Sequence, residues 1–462
     1  MAVDIPAADA ALDEAADAHA QAAQPWPKPA VAWYAVAVFG IVLMFGQLEQ
    51  SVISFLITPI KNDFSLRDWE ISLLVGIAPS IFYAAIGLPM ARLVDTMRRN
   101  VVMAVMLSLG GAMTAISGLA QGFWQFAVCR VLVGGGGAIQ GPGTYSMMAD
   151  YFPREKLPRA IAFMQIGFIS GRGLSLVFGG LLAGLVASWP VFHLGPLLIR
   201  NWQWVFIVVG VAGALGAVLF LTVPEPARRG RFVTEPGKGM TTGQVVSYLI
   251  THWKLYLPQF LALAFSAVET YGNESWRVVF LQRTYGWTPQ QAGLVMGPMT
   301  IGAQLLGLVV GTWVTQRLAK KHDDANLRAV AIFYSFVPVF AVIGPLMPNP
   351  WLSIICSSLV GLFGLAGAVP QNAALQSVTP NEMRGQITAL YLFIFSVIGL
   401  GMGPSFMAAI TDFIVRDENL IRYSMAGSAA IMTPLAALIM WSGVKAYGKA
   451  IGEVKAREAA AG

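Results

Sequence analysis

The sequence predicts an all-α membrane protein of twelve transmembrane helices in two pseudo-symmetric six-helix bundles. Three observations carry this. Of 462 residues, 56% are hydrophobic and only 12% are charged, about half the charge of a soluble chain. Apolar stretches fill most of the length, each near the roughly 20 residues that a helix needs to cross about 30 Å of hydrocarbon. The fourth and tenth stretches also repeat one another at a fixed offset. A soluble enzyme, a nucleic-acid binder and a disulfide scaffold are thereby excluded.

The elements follow in chain order. Residues 1–28 are rich in alanine and hold Asp4, Asp9, Asp13, Glu14 and Asp17, with no basic residue before Lys28. A secretory signal begins with positive charge and a presequence is poor in acids, so this segment reads as a disordered cytoplasmic tail. The twelve spans run 31–59, 70–91, 101–121, 123–149, 160–187, 202–223, 253–281, 289–314, 328–347, 350–376, 386–411 and 423–444. The longest hydrophilic connection, around PEPARRGRFVTEPGKGMTTG, falls between the sixth and seventh. The organisation is then an N-terminal bundle at 29–224, a cytoplasmic linker at 225–252, a C-terminal bundle at 253–446 and a cytoplasmic tail at 447–462.

Loop charge sets the orientation, because basic loops stay in the cytoplasm. Of the 30 basic residues, 21 fall on the side of the chain ends, 7 on the other side, and Arg130 and Arg172 inside spans. Both termini are expected in the cytoplasm, and the net charge of +6 reads as a topology signal rather than a nucleic-acid interface. Cys129 and Cys356 lie in apolar runs, no metal-ligand spacing stands out, and neither a cofactor nor a metal is expected. The run Gly134 to Gly137 lacks the Gly-Lys-Ser/Thr ending of a phosphate loop and suits close helix packing.

An internal repeat supports the two halves. Trp124 to Pro153 aligns without gaps on Trp351 to Pro380 at an offset of 227 residues, matching Trp, Cys129 with Cys356, Gly134 with Gly361, Gly137 with Gly364, and Pro. Repeats of six spans with a site at their interface are a known transporter architecture.

The loop ARLVDTMRRN resembles the first cytoplasmic motif of the major facilitator superfamily, G-x-L-A-D-R-x-G-R-K, with Asp95 and Arg99 retained and Ala91, Thr96 and Arg98 departing from it. CRVLVGGGG resembles the superfamily's arginine-then-glycine motif. The phrases MMADYFPREKLPRAIA, WQWVFIVVGVAGALGAVLFLTVPEPARRG, LQRTYGWTPQQAGLVMG and VTPNEMRGQITALYLFIFSVIGLGMGP resemble the spinster-like branch, particularly its bacterial members. The resemblance implies the major facilitator fold, a multi-pass protein of the bacterial inner membrane, and transport of lipid-like solutes. Where the branch commonly places Asp-Arg in the first span, this chain has Glu49-Gln50. Gly137 replaces an acid in the fourth, and Arg172 stands where a small residue is usual.

Ionisable residues inside spans cost about 2.5–3.5 kcal/mol each and usually face the bundle interior. Glu49 and Arg130 fall at similar depth in the outer half and are expected to pair. Glu49 reads either as a proton carrier, a partly desolvated carboxylate whose protonation biases one conformation, or as a static packing pair. Arg172, near the midplane, reads as a site for an anionic cargo or as a partner of an acid in the other half. Glu269 and Asn273 share a helix face, while Glu274 and Arg277 have the spacing of an intrahelical pair. Gln140, Tyr145, Gln371 and Asn372 are candidate cavity residues or helix-to-helix bonds. Asp95, Arg98, Arg99, Glu155, Arg159 and Arg384 are candidate gate charges at the cytoplasmic face, or solvated topology signals.

The expected function is alternating-access transport of one small organic solute, anionic or amphipathic, coupled to protons through a buried carboxylate, by a monomer in the lipid bilayer. Efflux of cationic amphiphiles, with Glu49 and Glu269 as counter-charges, is the alternative. A membrane sensor or lipid-acting enzyme is more remote, since no soluble domain or catalytic constellation is present.

Overall fold

The computed structural model describes residues 25–153, 155–195, 197–228 and 242–461. Twelve long helices order the chain. In the first half these are α1 (Pro29–Phe64), α2 (68–96, with a π-helical turn at Leu73–Ile77), α3 (Arg99–Ser117), α4 (Phe123–Tyr151), α5 (Leu157–Val186) and α6 (Asn201–Val218). The second half holds α7 (Trp253–Tyr285), α8 (Pro289–Ala319), α9 (Ala325–Leu346), α10 (Pro350–Val378), α11 (381–415, with π-helical turns at Ile394–Ile398 and Ile410–Val415) and α12 (Ile421–Ala461). Ten of them are apolar and long enough to cross a membrane outright. The other two, α4 and α7, carry polar residues within the bundles: Arg130 of α4 and Glu269 of α7 are buried, while Gln140 of α4 and Asn273, Glu274 and Arg277 of α7 are half-buried.

The repeat is visible in the helices themselves. α4 and α10 are each 29 residues long, and their bounds are displaced by 227 at both ends. Several helices exceed the bilayer. The 36 residues of α1 correspond to about 54 Å of helix, so this element tilts or projects beyond the hydrocarbon.

Three departures from the sequence reading have physical causes. Residues 447–461, expected as a tail, continue α12 as helix; Ile451 is buried and Lys455 pairs with Asp323, which gives the extension something to rest on. The linker contains a helix at Thr242–Thr251, whose Val245 and Leu249 pack into the C-terminal core. A two-stranded hairpin, Phe192–Leu194 paired with Leu197–Ile199, joins α5 to α6 and is the one sheet among the described residues. The expected N-terminal tail lies outside the described residues up to position 24, as do 229–241 of the linker.

Core packing distinguishes the two membrane faces. At the face opposite the chain ends a single apolar core draws on both halves: Ile53, Phe55, Leu74, Phe126 and Trp202 meet Trp276, Val279, Met296, Met407 and Met425. At the face that carries the ends, the N-terminal half has its own core around Phe39, Met103, Tyr151 and Phe220. The C-terminal half there has another, around Tyr256, Tyr334, Tyr391 and Tyr447. The halves are therefore fused at one face and separate at the other. α5 against α8 and α2 against α11 make the seam. Gly180 faces Gly293 so closely that a Cβ on Gly180 would lie 2.6 Å from the Pro289 carbonyl and 3.0 Å from the Gly293 Cα. Any larger residue there would wedge the halves apart.

Candidate functional site

At mid-depth the seam carries an ion cluster. Arg172 of α5 and Glu274 of α7 form a bidentate pair that joins the halves: Nε donates to Oε1 at 2.8 Å, and Nη2 donates to Oε2. Both side chains keep about a quarter of their surface accessible, at 24% and 28%, so the pair borders the cleft. Arg277, less than a turn from Glu274, donates from Nη2 to Thr300 Oγ1 at 3.4 Å and leaves Nε without a partner. Tyr271 lies in the field of both Glu274 and Arg172 and packs on Phe395. Two guanidinium groups face one carboxylate, so the cluster has an excess of one positive charge. The intrahelical Glu274–Arg277 pair read from the sequence is displaced: a bidentate fork to Arg172 satisfies the carboxylate better than a neighbour on the same helix.

Glu49 lies inside the N-terminal half. Its Oε1 sits against Gly213 of α6, where only a glycine leaves room, and the charge of Arg130 on α4 reaches it. The expected direct pair does not form. Arg130 is 3% exposed, and its Nε and Nη1 meet no hydrogen-bond partner among the described residues. Gly134, one turn on, lets α4 approach the Pro79 backbone of α2. Gln50 is exposed beside Glu49.

The remaining candidates separate into those that bond helices and those that do not. Gln140 Nε2 donates to the Val42 carbonyl of α1 at 3.2 Å. Tyr145 donates to Gln165 Oε1 at 3.3 Å. Gln371, 1% exposed, accepts from the Tyr334 hydroxyl at 3.1 Å, and Asn372 bonds its own helix at Ala368. Glu269 is buried against α12, accepting from Ser428, and Asn273 on the same face is half-buried. Among the gate candidates, Arg98, Glu155, Arg159 and Arg384 are exposed, and Arg384 Nη2 donates to the Thr379 carbonyl at 3.4 Å. The side chain of Asp95 lies outside the described residues. Arg99 is no free gate charge. It is 2% exposed and binds Asp150 at 2.5 Å, Glu225 at 2.8 Å and the Pro226 carbonyl at 3.3 Å, fastening α3, α4 and the exit of α6 within one half.

An ion network that the sequence reading passed over closes the opposite face. Asp68, wholly buried at the start of α2, accepts from Lys61 Nζ at 2.8 Å and from Arg283 of α7 at 2.5 and 2.9 Å. Glu418, just before α12, bonds Lys61 and approaches Arg283 Nη2 at 3.7 Å. Beside this ring, Trp69 N donates to Asp412 of α11 at 2.8 Å, and Ser72 donates to Ser405 at 3.2 Å. Lys61 and Arg283 are two of the seven basic residues on the side poor in positive charge, and that placement was the available signal for a specific partner.

Comparison with known proteins identifies the family. The family model described as Major Facilitator Superfamily matches residues 38–404. An "MFS-type efflux pump" of Mycolicibacterium smegmatis is 27% identical over 395 residues, covering 84% of this chain and 86% of the relative. A galacturonate transporter of Dickeya chrysanthemi is 21% identical, covering 71% and 95%. Protein spinster of Drosophila melanogaster is 23% identical, covering 83% of this chain but only 62% of that longer relative. A crystal structure of a bacterial homologue of the human lysosomal transporter Spinster, inward-facing and unoccupied, superposes with a TM-score of 0.72 at 21% identity, covering 92% and 98%. The chain is a multi-pass membrane protein of the major facilitator superfamily, with the twelve-helix fold of that family and a likeness to its spinster-like members.

Proposed function

We propose that the protein is a secondary transporter that carries a small organic anion, carboxylate or lipid-like, across the bacterial inner membrane by alternating access. The observation that carries this reading is the Arg172–Glu274 fork between the halves, with Arg277 beside it holding an unmet donor. A cargo carboxylate or phosphate matches guanidinium geometry. On entering the cleft it would compete with Glu274 for Arg172 and fill the free Nε of Arg277. The bond between the halves would then run through the cargo. Replacing one inter-half contact by another is how a ligand gains differential affinity for one conformation.

Both chain ends are assigned to the cytoplasm on the basic-loop bias, so the fused face is periplasmic and the separated cores border an inward cleft. Proton coupling is assigned to Glu49. The carboxylate lacks a direct ion pair, and Arg130 nearby has donors to spare, so its charge state decides how strongly α1 is drawn to α4. Supporting the anionic cargo is the similarity to a galacturonate transporter. Supporting an alternative, efflux of cationic amphiphiles with Glu49 as a counter-charge, is the similarity to an efflux pump.

A thermal-shift screen of the detergent-solubilised protein separates the two. Sugar acids, carboxylates and lysophospholipids are tested against hydrophobic cations, each repeated on Arg172→Ala. Stabilisation by an anion that disappears in the variant supports the reading. Stabilisation by cations alone, or by anions equally in both proteins, overturns it.

A further inference from the structure

Glu269 has no part in the cleft. It lies 4% exposed within the C-terminal half, on the face of α7 that packs against α12. Ser428 donates to its Oε2 at 2.8 Å, while Oε1 meets no partner among the described residues. One helical turn away on α12, on the stripe shared with Ser428, Ser424 is wholly buried and its Oγ is likewise unpartnered. The two helices run antiparallel, and the Glu269–Ser428 bond fixes their register. One turn toward the fused face therefore brings Asn273, on the face of Glu269, to the level of Ser424. A carboxylate and two hydroxyls thus line one interface with an amide-bearing residue at the same level, and Glu269 Oε1 and Ser424 Oγ have unmet valence where water is excluded.

No basic side chain balances this carboxylate among the described residues. A buried carboxylate with half its acceptors unmet and no counter-charge costs several kcal/mol. A positive ligand removes that cost. Carboxylate, hydroxyl and amide oxygens are hard donors that suit hard cations. One carboxylate balances one charge, so a divalent ion would leave net positive charge inside the bundle. A proton on Oε1 would neutralise the carboxylate but could join it to at most one of the other oxygens, whereas a metal ion gathers all of them around one centre. We propose that the α7–α12 interface binds a sodium ion, held by Glu269, Ser424 and Ser428 and completed by Asn273, as an ion site separate from Glu49. Its occupancy fixes α7 against α12, and α7 carries Glu274 and Arg277 less than three turns further on, so the ion acts on the register of the Arg172 fork.

The test reads binding and stands whatever cargo the protein carries. The full-length protein in detergent is titrated with NaCl, KCl or choline chloride at constant ionic strength, and thermal stability is recorded. A saturable rise in Tm with sodium alone is expected in the parent. It is lost in Glu269→Gln and shifted to at least about tenfold higher sodium in Ser424→Ala, as befits removal of one ligand. Absence of a sodium-specific rise in the parent overturns the proposal, as does a rise that survives Glu269→Gln. A pH-dependent stability lost in Glu269→Gln without any sodium response marks a proton-only carboxylate and also overturns it. Should Glu269→Gln fail to fold, an unchanged sodium titration in Ser424→Ala does the same.

Discussion

Asp68→Asn provides a direct handle on the conformational equilibrium. In the fused state Asp68 has no exposed surface and accepts three charge-assisted bonds, one from Lys61 and two from Arg283. The substitution leaves Lys61, itself buried, with Glu418 as its one remaining carboxylate partner. Removing one member of a buried ion pair costs about 3–5 kcal/mol. Glu418 remains beside both cations and is 46% exposed, which places the cost near the lower end, about 3 kcal/mol. Opening this face hydrates the two cations and releases the cost, so the penalty falls on the fused state alone. At 1.4 kcal/mol per decade, the ratio of states moves about a hundredfold toward opening. Spin labels at the exposed positions Arg67 and Asn419, on opposite halves of this face, report the change by double electron–electron resonance. The parent should give one short distance. Asp68→Asn should add a longer one that carries a large share of the molecules. A single, unchanged short distance in a folded Asp68→Asn protein would refute the assignment of this network as the lock.

Other expectations follow from the same geometry. Gly180→Leu places a side chain into the Pro289 carbonyl and the Gly293 backbone, and should open the same face, seen as the same lengthening between labels. In a double-mutant cycle, Arg172→Ala and Glu274→Ala should each destabilise, and the pair together less than their sum, with a coupling of about 0.5–3 kcal/mol in denaturation or thermal unfolding. Independent additive effects would show that the fork contributes nothing. Glu49→Gln should abolish uptake driven by a pH gradient while sparing counterflow exchange; unchanged pH-driven uptake removes Glu49 from coupling. Reporter fusions at either end should be active only as cytoplasmic markers, and a periplasmic signal at either end reverses the assigned orientation.

The helices were legible because bilayer crossing demands length and apolarity, and both are local properties of the chain. Even α4, interrupted by Arg130 and four consecutive glycines, was readable through its repeat in α10. The extension of α12 was not, because residues 447–461 look like a solvated tail until Asp323 and the C-terminal core are brought beside them. Charge partners were the least legible part. Spacing along one helix suggested Glu274 with Arg277, yet the tertiary fold offers Arg172 from 102 residues away. Likewise Lys61 and Arg283, tallied only as loop charge, meet at Asp68 across more than 200 residues of sequence. Arg99 is kept by the first cytoplasmic motif, but its buried bonds to Asp150 and Glu225 make it a fastening within one half.

Flux through a sealed membrane tests the central claim most directly. Protein reconstituted in proteoliposomes, given an anion found by the stability screen and an imposed pH gradient, should accumulate that anion. Arg172→Ala should lose the accumulation while still binding sodium. No movement of any stabilising anion in the parent, or equal movement in the variant, would contradict transport through the Arg172 cluster.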